Sequence, residues 1–353
     1  MEEKKRGVGY WISVIAGTVV VLITAMYFYN GYASKKWMSL PSPDGRMVGV
    51  GLGNAFVRIK GAERPVVVVL SAMGSSSAEW WPLQDILAQD VTVLTYDRAG
   101  YGWSSAGKFP RTPEQVAVEL DEILNTLNLA PPYILVGHSI GGLYARQYAM
   151  MAPGKVAACV FLDPMPVENK RFEQELGPEL YRQSGADKTG AMSTGKFFAS
   201  TGLGRVLAPL IQSAPMFAGY KKLGKNVYPV IYENMVREES YPAMLSEYVS
   251  AMDDTQLGLV REKSRFPDIP VVVVYHSPER VVDETVRWAK LTKEDAQKVE
   301  TLREKLTREY LESGKNKNKP EWVVMSNSGH YMHLDEPGVI AGIIKKCAGK
   351  ERK

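Results

Sequence analysis

A serine in a glycine-flanked turn is the first candidate for chemistry in this sequence. The letters GHSIG at residues 137–141 fit the pattern G-x-S-x-G, which places a serine on a sharp bend between a strand and a helix. An apolar run precedes the motif, a helix-like segment follows it, and the small Gly137 and Gly141 allow the close backbone approach that the bend needs. The alternative is an ordinary serine in a strand-to-helix loop. We predict that Ser139 is a catalytic nucleophile.

A serine hydroxyl needs a base to take its proton, and histidine has the suitable pKa. The chain has four histidines: His138, His276, His330 and His333. His330 follows the last predicted strand, where the chain order serine, acid, histidine places the base, and Gly329 frees the loop around it. We therefore predict His330 as the base. We expect His138 and His276 to have structural roles and His333 to brace the start of the final helix.

Two backbone N–H groups are candidates for binding the negative charge that develops on a carbonyl oxygen under attack. The helix after the serine leaves N–H groups free at its first turn, which makes Ile140 N–H one candidate. The loop SAMGSSS at residues 71–77 follows a predicted strand and offers Met73 N–H as the second. This loop has no G-x-G-x-x-G pattern and no P-loop lysine, so a phosphate-binding role is disfavoured.

Short apolar runs indicate the strands that position these residues. The runs are rich in β-branched residues, as is typical of strands buried on both faces. They lie at residues 65–70, 91–96, 133–137, 156–162, 271–275 and 321–325. Helical patterns alternate with them, and residues 47–59 resemble a glycine-broken hairpin. The alternation predicts an α/β domain over residues 46–350 with a mostly parallel sheet.

The strand pattern stops between residues 164 and 269, where a mainly helical segment intervenes. We interpret this segment as an inserted cap. Its large apolar side chains form an acyl pocket in one interpretation and only the core of the cap in the other. These side chains are Phe197, Phe198, Leu207, Leu210, Ile211, Met216, Phe217, Tyr228, Tyr232 and Tyr241.

The N-terminus carries an uncharged apolar run at residues 8–29, long enough to cross the roughly 30 Å hydrocarbon layer of a membrane. The basic residues Lys4, Lys5 and Arg6 precede it, so a cleaved signal peptide is one alternative and a buried core helix another. The run exceeds a typical signal-peptide core, and we expect an uncleaved signal anchor. Residues 1–7 then form a cytoplasmic tail, residues 30–45 a linker, and the catalytic domain lies outside the cytoplasm.

Composition excludes other classes of protein. The net charge of +4 comes from basic residues scattered among nearly as many acidic ones, which argues against nucleic acid as a partner. Cys159 and Cys347 lack metal-ligand spacing, and Cys159 lies in an apolar run. We expect neither a zinc site nor a disulfide scaffold.

Four motifs in order resemble the α/β-hydrolase family, particularly its membrane-anchored bacterial members. They are YDRAGYGWS at 96–104, LVGHSIGGLYARQYA at 135–149, VFLDPMP at 160–166 and SGHYMHLDEP at 328–337. The resemblance implies a mostly parallel sheet with helices on both faces, a helical cap after the sixth strand, and hydrolysis through an acyl-enzyme without metal or organic cofactor. Asp97 matches a structural turn of the family. Ser71 and Ala72 replace its usual His-Gly, which puts the shape of the oxyanion loop in doubt.

Three carboxylates are candidates for the acid that orients His330. Glu279 stands where the family most often keeps its acid, Asp283 lies further along, and Asp163 occupies the location used by some lipase-like members. We favour Asp163 because aspartate is short and stiff and because a strand end and the following proline fix its position. Glu279 also has a cation beside it in the sequence. The other two remain alternatives.

The resulting expectation is hydrolysis of a carboxylic ester with an apolar acyl group. Cleavage of an amide or another acyl bond, as by an aminopeptidase or a carbon–carbon hydrolase, is the nearest alternative. A dehalogenase or epoxide hydrolase is disfavoured because those enzymes need a carboxylate where Ser139 stands. A hydrolase-fold binding protein with little turnover is the alternative from another class.

Overall fold

A computed structural model describes residues 7–39, 44–51, 53–213, 218–224, 226–312 and 318–349. Some residues used in the sequence predictions lie outside these ranges. They are residues 1–6 of the tail, residues 40–43 of the linker, Leu52 of the predicted hairpin, Met216 and Phe217 of the cap, and residue 350 at the end of the predicted domain.

The described residues form one eight-stranded sheet with the order β1-β2-β4-β3-β5-β6-β7-β8. Its strands are β1 (Arg46–Val50), β2 (Gly53–Lys60), β3 (Val66–Leu70), β4 (Thr92–Tyr96), β5 (Tyr133–His138), β6 (Val156–Leu162), β7 (Val271–Tyr275) and β8 (Glu321–Val324). β2 is antiparallel to both of its neighbours, and the pairs from β4 to β8 are parallel. The mostly parallel sheet predicted from the buried apolar runs is confirmed.

Helices cover both faces of this sheet, as predicted. The helices outside the cap are α1 (Val8–Met38), α2 (Trp81–Leu87), α3 (Pro113–Thr126), α4 (Gly141–Met151), α13 (Pro278–Ala289), α14 (Lys293–Thr307), α15 (Met332–Asp335) and α16 (Pro337–Cys347). Side chains alternate along a strand, so Val66 and Val68 of β3 pack in the core beneath α3 and α4. Val67 and Val69 pack in the second core, with α2 and α16.

The cap lies between β6 and β7, which is the predicted insertion after the sixth strand. Its helices are α5 (Asn169–Leu176), α6 (Pro178–Gln183), α7 (Thr189–Ser200), α8 (Leu203–Val206), α9 (Ala208–Ile211), α10 (Ala218–Lys221), α11 (Tyr228–Val236) and α12 (Ser240–Ala251). A buried ion pair joins α12 to the sheet domain, with Arg98 Nε donating to Glu247 Oε1 at 2.8 Å. Tyr101 Oη donates to the other carboxylate oxygen at 2.9 Å. The buried charges are therefore paired and hydrogen-bonded, as burial requires.

α1 is apolar and long enough to cross a membrane, and its apolar part is exposed. It does not end at residue 29. Residues 30–38, predicted as the start of a linker, continue the helix and dock on the cap, with Asn30 and Ser34 buried there. The segment contains no proline before residue 41, so nothing local stops the helix earlier.

Candidate active site

Ser139 stands on a strained turn between β5 and α4. Its φ of 55° lies in the left-handed region, and its N–H donates to Leu162 O at 3.1 Å, at the end of β6. The flanking glycines have no room for a side chain. A Cβ on Gly137 would lie 2.5 Å from Gly141 O, and one on Gly141 would clash with Leu70 O. These close approaches explain the glycines of the motif.

Asp163 and His330 are hydrogen-bonded to each other beside this turn. Asp163 directly follows β6, and its Oδ2 makes a short hydrogen bond with His330 Nδ1 in the loop after β8. Glu279 and Asp283 instead lie exposed on α13, and no ion pair or hydrogen bond among the described residues joins either side chain to a histidine. The structure thus brings together Asp163 and His330, and not the two alternative acids.

The His330 loop is held by His138, the residue before Ser139. His138 Nε2 donates to the His330 carbonyl oxygen at 2.9 Å, and the His138 ring is fully buried. Burial lowers the pKa of His138 well below its usual value, so this ring stays neutral. Ser139 Oγ makes no hydrogen bond to described residues, but Ser139 and His330 line the same cavity. Catalytic hydrogen bonds often tighten only when substrate binds.

The two predicted oxyanion donors have no competing acceptor. Among the described residues, neither Met73 N–H nor Ile140 N–H donates a hydrogen bond to the protein. Arg98 fixes the loop that contains Met73 by donating to Ser71 O at 2.7 Å and to Ala72 O at 3.0 Å. A buried guanidinium therefore shapes the loop that departs from the usual His-Gly.

A second histidine binds the same carboxylate, which the sequence analysis did not predict. His276 directly follows β7, and its Nδ1 lies 2.7 Å from Asp163 Oδ1. Its Nε2 lies 2.8 Å from Glu300 Oε1 on α14, and Tyr275 Oη donates to that same oxygen at 2.6 Å. The sequence contained one signal for this contact. His276 follows a strand that is parallel to β6, so its side chain lies at the same sheet edge as Asp163. His276 thus connects two buried carboxylates.

The charges in this chain of contacts favour the ionised acid. Burial alone would raise the pKa of Asp163, but the charges and hydrogen bonds of His276 and His330 outweigh it and hold that pKa well below its usual range. Burial alone would lower the pKa of His276, but Asp163 and Glu300 outweigh it and raise the pKa to about 9. Asp163 therefore remains a carboxylate next to His330 at neutral pH.

His276 leads to a prediction about stability and pH. Its folded-state pKa of about 9 exceeds the ordinary value of 6.5, so its contribution to stability is complete below about pH 6.5 and is lost as the pH rises through about 9. We expect the thermal midpoint of the full-length protein in detergent to fall across this window and the fall to be absent in His276→Gln. Circular dichroism melts across the window measure both. Glu304→Gln, on the same helix as Glu300, is the control that should keep the fall; an equal fall in His276→Gln would contradict the prediction.

Other polar groups near the site have structural contacts. Asp97 accepts hydrogen bonds from Ser77 N–H at 2.6 Å and Trp103 N–H at 3.0 Å, which join the loops after β3 and β4. The His333 ring stacks on Trp80, with centroids 4.0 Å apart, and no hydrogen bond among the described residues joins that ring to α16. Burial and the His330 charge lower the pKa of His333 to about 3, so this ring is also neutral.

The cavity at Ser139 has a volume of about 320 Å³. It is lined by Ser139, Asp163, Pro164, Met165, Pro166, Asn169, Phe172, Ser184, Ala186, Lys188, His276, Val281, Glu284, Thr285, Trp288, Ala289, Arg303 and His330. None of the described cap residues predicted for an acyl pocket lines it. Tyr232 is instead buried in a separate hydrophobic cluster where the cap packs on the sheet domain, and Leu210 is exposed. The lining comes from the first part of the cap and from α13, which the sequence analysis did not single out.

Comparison with known proteins identifies the family of the chain. A model of the alpha/beta hydrolase family matches residues 67–343. The (lyso)-N-acylphosphatidylethanolamine lipase of Bos taurus is 24% identical over 247 residues, which cover 66% of this chain and 71% of the lipase. YqjL of Bacillus subtilis is 33% identical over 105 residues, 30% of this chain, and the chain spans only 42% of that relative's length.

Solved structures agree on the fold. The Cif epoxide hydrolase from Acinetobacter nosocomialis superposes with a TM-score of 0.64 at 14% identity, covering 93% of this chain and 96% of that one. The family model spans most of the chain. This chain belongs to the α/β hydrolase family, and its fold supports a hydrolase activity.

Proposed function

We propose that this protein hydrolyses carboxylic esters, with Ser139 as nucleophile, His330 as base and Asp163 as the acid that orients the base. The hydrogen bond between Asp163 Oδ2 and His330 Nδ1, in a cavity that also contains Ser139, is the observation that carries the proposal. With Nδ1 bound to the carboxylate, His330 Nε2 is the ring nitrogen left to accept the serine proton.

The reaction follows from this arrangement in two halves. Ser139 Oγ attacks the ester carbonyl carbon while His330 Nε2 takes its proton, and the electron pair on the carbonyl oxygen is stabilised by Met73 N–H and Ile140 N–H. The C–O bond then breaks and His330 gives the proton to the departing alcohol. Water, deprotonated by His330, attacks the acyl-enzyme and releases the acid and the serine. No cofactor takes part in these steps.

The cavity and one relative support an acyl substrate. Met165, Phe172 and Val281 give the cavity an apolar part, whereas Lys188 and Arg303 add positive charge. The Bos taurus relative is named as a lipase for N-acyl phospholipids. Amide or other acyl-bond cleavage is the second candidate because the same three groups serve both reactions. A binding protein with little turnover is the third.

Labelling and a substrate panel test the proposal. A fluorophosphonate probe should attach to the peptide that contains Ser139, and Ser184→Ala, which changes another cavity-lining serine, should label normally. Esters of graded acyl length should turn over faster than matched amides and peptides. A folded protein that does not label would favour the binding protein, and faster amide turnover would favour the second candidate.

We place the protein in a membrane as a single-pass protein with its catalytic domain outside the cytoplasm. α1 supports the anchor. Basic residues flank the apolar run on both sides, with Lys4, Lys5 and Arg6 before it and Lys35 and Lys36 after it, so the orientation rests on the short N-terminal tail, which usually stays cytoplasmic. Protease added to intact spheroplasts of a bacterial host should digest the domain while a cytoplasmic control protein survives. Protection of the domain under those conditions would reverse the orientation.

A further inference from the structure

The cap has an apolar surface that the Ser139 cavity does not use. Residues 197–211 read FFASTGLGRVLAPLI and include one charged residue, Arg205. Phe197, Val206 and Leu210 are large apolar side chains on this segment with exposed fractions of 56%, 53% and 69%. We call these three side chains the cap face. α8 contacts both α7 and α9, so the three side chains lie on neighbouring helices. Exposed apolar side chains grouped in this way mark interaction sites in water-soluble domains.

The one charge in this segment is turned away from solvent. Arg205 Nη1 donates to Glu233 Oε2 at 2.6 Å, so its charge is paired within the cap. The same guanidinium donates from Nε to Asn30 Oδ1 at 2.6 Å and from Nη2 to Ser34 Oγ at 2.9 Å. Asn30 and Ser34 belong to α1. Arg205 therefore joins the cap to the apolar helix and does not place its charge on the cap face.

Two further contacts fix where the cap meets α1. Asn30 Nδ2 donates to Ala199 O at 2.7 Å, and the backbone of Gly202, between α7 and α8, packs directly on the helix. A Cβ on Gly202 would lie 2.5 Å from Met26 O, which is inside the apolar run. The α7–α8 turn therefore contacts the membrane-compatible part of α1 and not only its polar end.

Helix geometry gives the depth of the cap face relative to the membrane. Met26 is three residues before the end of the apolar run at residue 29, which is about 5 Å along an α-helix axis. If residues 8–29 cross the hydrocarbon layer, the α7–α8 turn lies at the boundary between headgroups and acyl chains. Phe197 lies on α7 and Val206 on α8, on either side of this turn.

We propose that the cap face binds the lipid bilayer, inserting Phe197, Val206 and Leu210 into the leaflet that α1 enters. The proposal rests on the membrane anchor given under the proposed function. The apolar side chains are buried in the headgroup and acyl boundary, as in interfacial helices, while Arg205 stays paired within the protein. α1 then serves as part of the cap and not only as a tether.

The position of α7 connects this surface to the active site. α7 runs from Thr189, next to the cavity-lining Lys188, to Ser200, next to the α1 contact at Ala199. Its length of 12 residues corresponds to about 18 Å. The cavity therefore begins about one short helix away from the α1 contact, within reach of an amphiphile that leaves the leaflet.

Environment-sensitive dyes on single cysteines test the proposal in the full-length chain, reconstituted in phosphatidylcholine vesicles that contain nitroxide lipids labelled near the headgroup. Cys347→Ser removes the half-buried thiol, and Cys159 is buried. Dyes are placed at Val206→Cys and Leu210→Cys. Val21→Cys on α1 is the positive control. Val324→Cys on β8, which forms the sheet edge opposite to β1, is the negative control. All four native side chains are at least 44% exposed, so the changes leave the core intact.

We expect blue-shifted emission and nitroxide quenching at positions 206 and 210, at least about half as strong as at position 21, and neither effect at position 324. Insertion at position 21 with a water-like signal at both cap positions overturns the docking of the cap and leaves the anchor intact. A water-like signal at position 21 overturns the anchor and the docking together. The dye signals do not depend on turnover, so none of these outcomes bears on ester hydrolysis.

Discussion

Replacing Ser139 with alanine should lower kcat for ester hydrolysis by a factor of about 10⁴ or more while leaving the thermal midpoint nearly unchanged. The loss is large because the variant has no oxygen nucleophile for the acyl-enzyme, and only substrate binding and the oxyanion donors remain. Stability should change little because the Ser139 hydroxyl makes no hydrogen bond to described residues. Steady-state kinetics with the preferred ester and circular dichroism melts measure the two effects.

A comparison of variants separates chemistry from folding in this experiment. His330→Ala should lose a similar factor, and the double variant should lose little more, because nucleophile and base act as one unit. Ser184→Ala removes a different hydroxyl from the same cavity and should keep near-normal kcat. Near-normal turnover by a folded Ser139→Ala protein would rule out Ser139 as the nucleophile.

Local sequence was sufficient to predict the fold and the serine turn. A buried parallel strand is apolar at every position, as in residues 66–70, so its signal does not depend on distant partners. Gly137 and Gly141 are glycines for a similar reason, because a Cβ on either would clash with backbone atoms of the turn or of the neighbouring strand. These features were predicted because their causes lie within a few residues or in the general geometry of parallel sheets.

The contacts of His276 with Asp163 and Glu300 could not be predicted from local sequence. His276 and Glu300 are 24 residues apart and meet Asp163 only because β6 and β7 are neighbours and α14 returns over their ends. The docking of residues 30–38 on the cap also depends on residues far apart in the sequence, since Asn30 and Arg205 are separated by 175 residues. Such contacts depend on how whole elements pack, and no local pattern encodes them.

Asp163→Asn should lower kcat by a factor of about 10⁴ with the protein still folded, because an asparagine amide at this position favours the wrong tautomer of His330 and cannot stabilise its charged form. The geometry supports Asp163 over the other acids, since it alone of the three candidates contacts His330 among the described residues. Some loss of thermal stability should accompany the change, since the buried His276 would lose a charged partner.

The exposed alternatives supply the matched controls for this experiment. Glu279→Gln and Asp283→Asn change equivalent charges on α13, where both side chains are exposed, and each should keep near-normal kcat. Kinetics at saturating ester, with folding checked by circular dichroism at the assay temperature, distinguish a catalytic loss from unfolding. A folded Asp163→Asn protein with near-normal kcat, beside an inactive Glu279→Gln protein, would move the acid to α13 and require His330 to turn toward α13 on substrate binding.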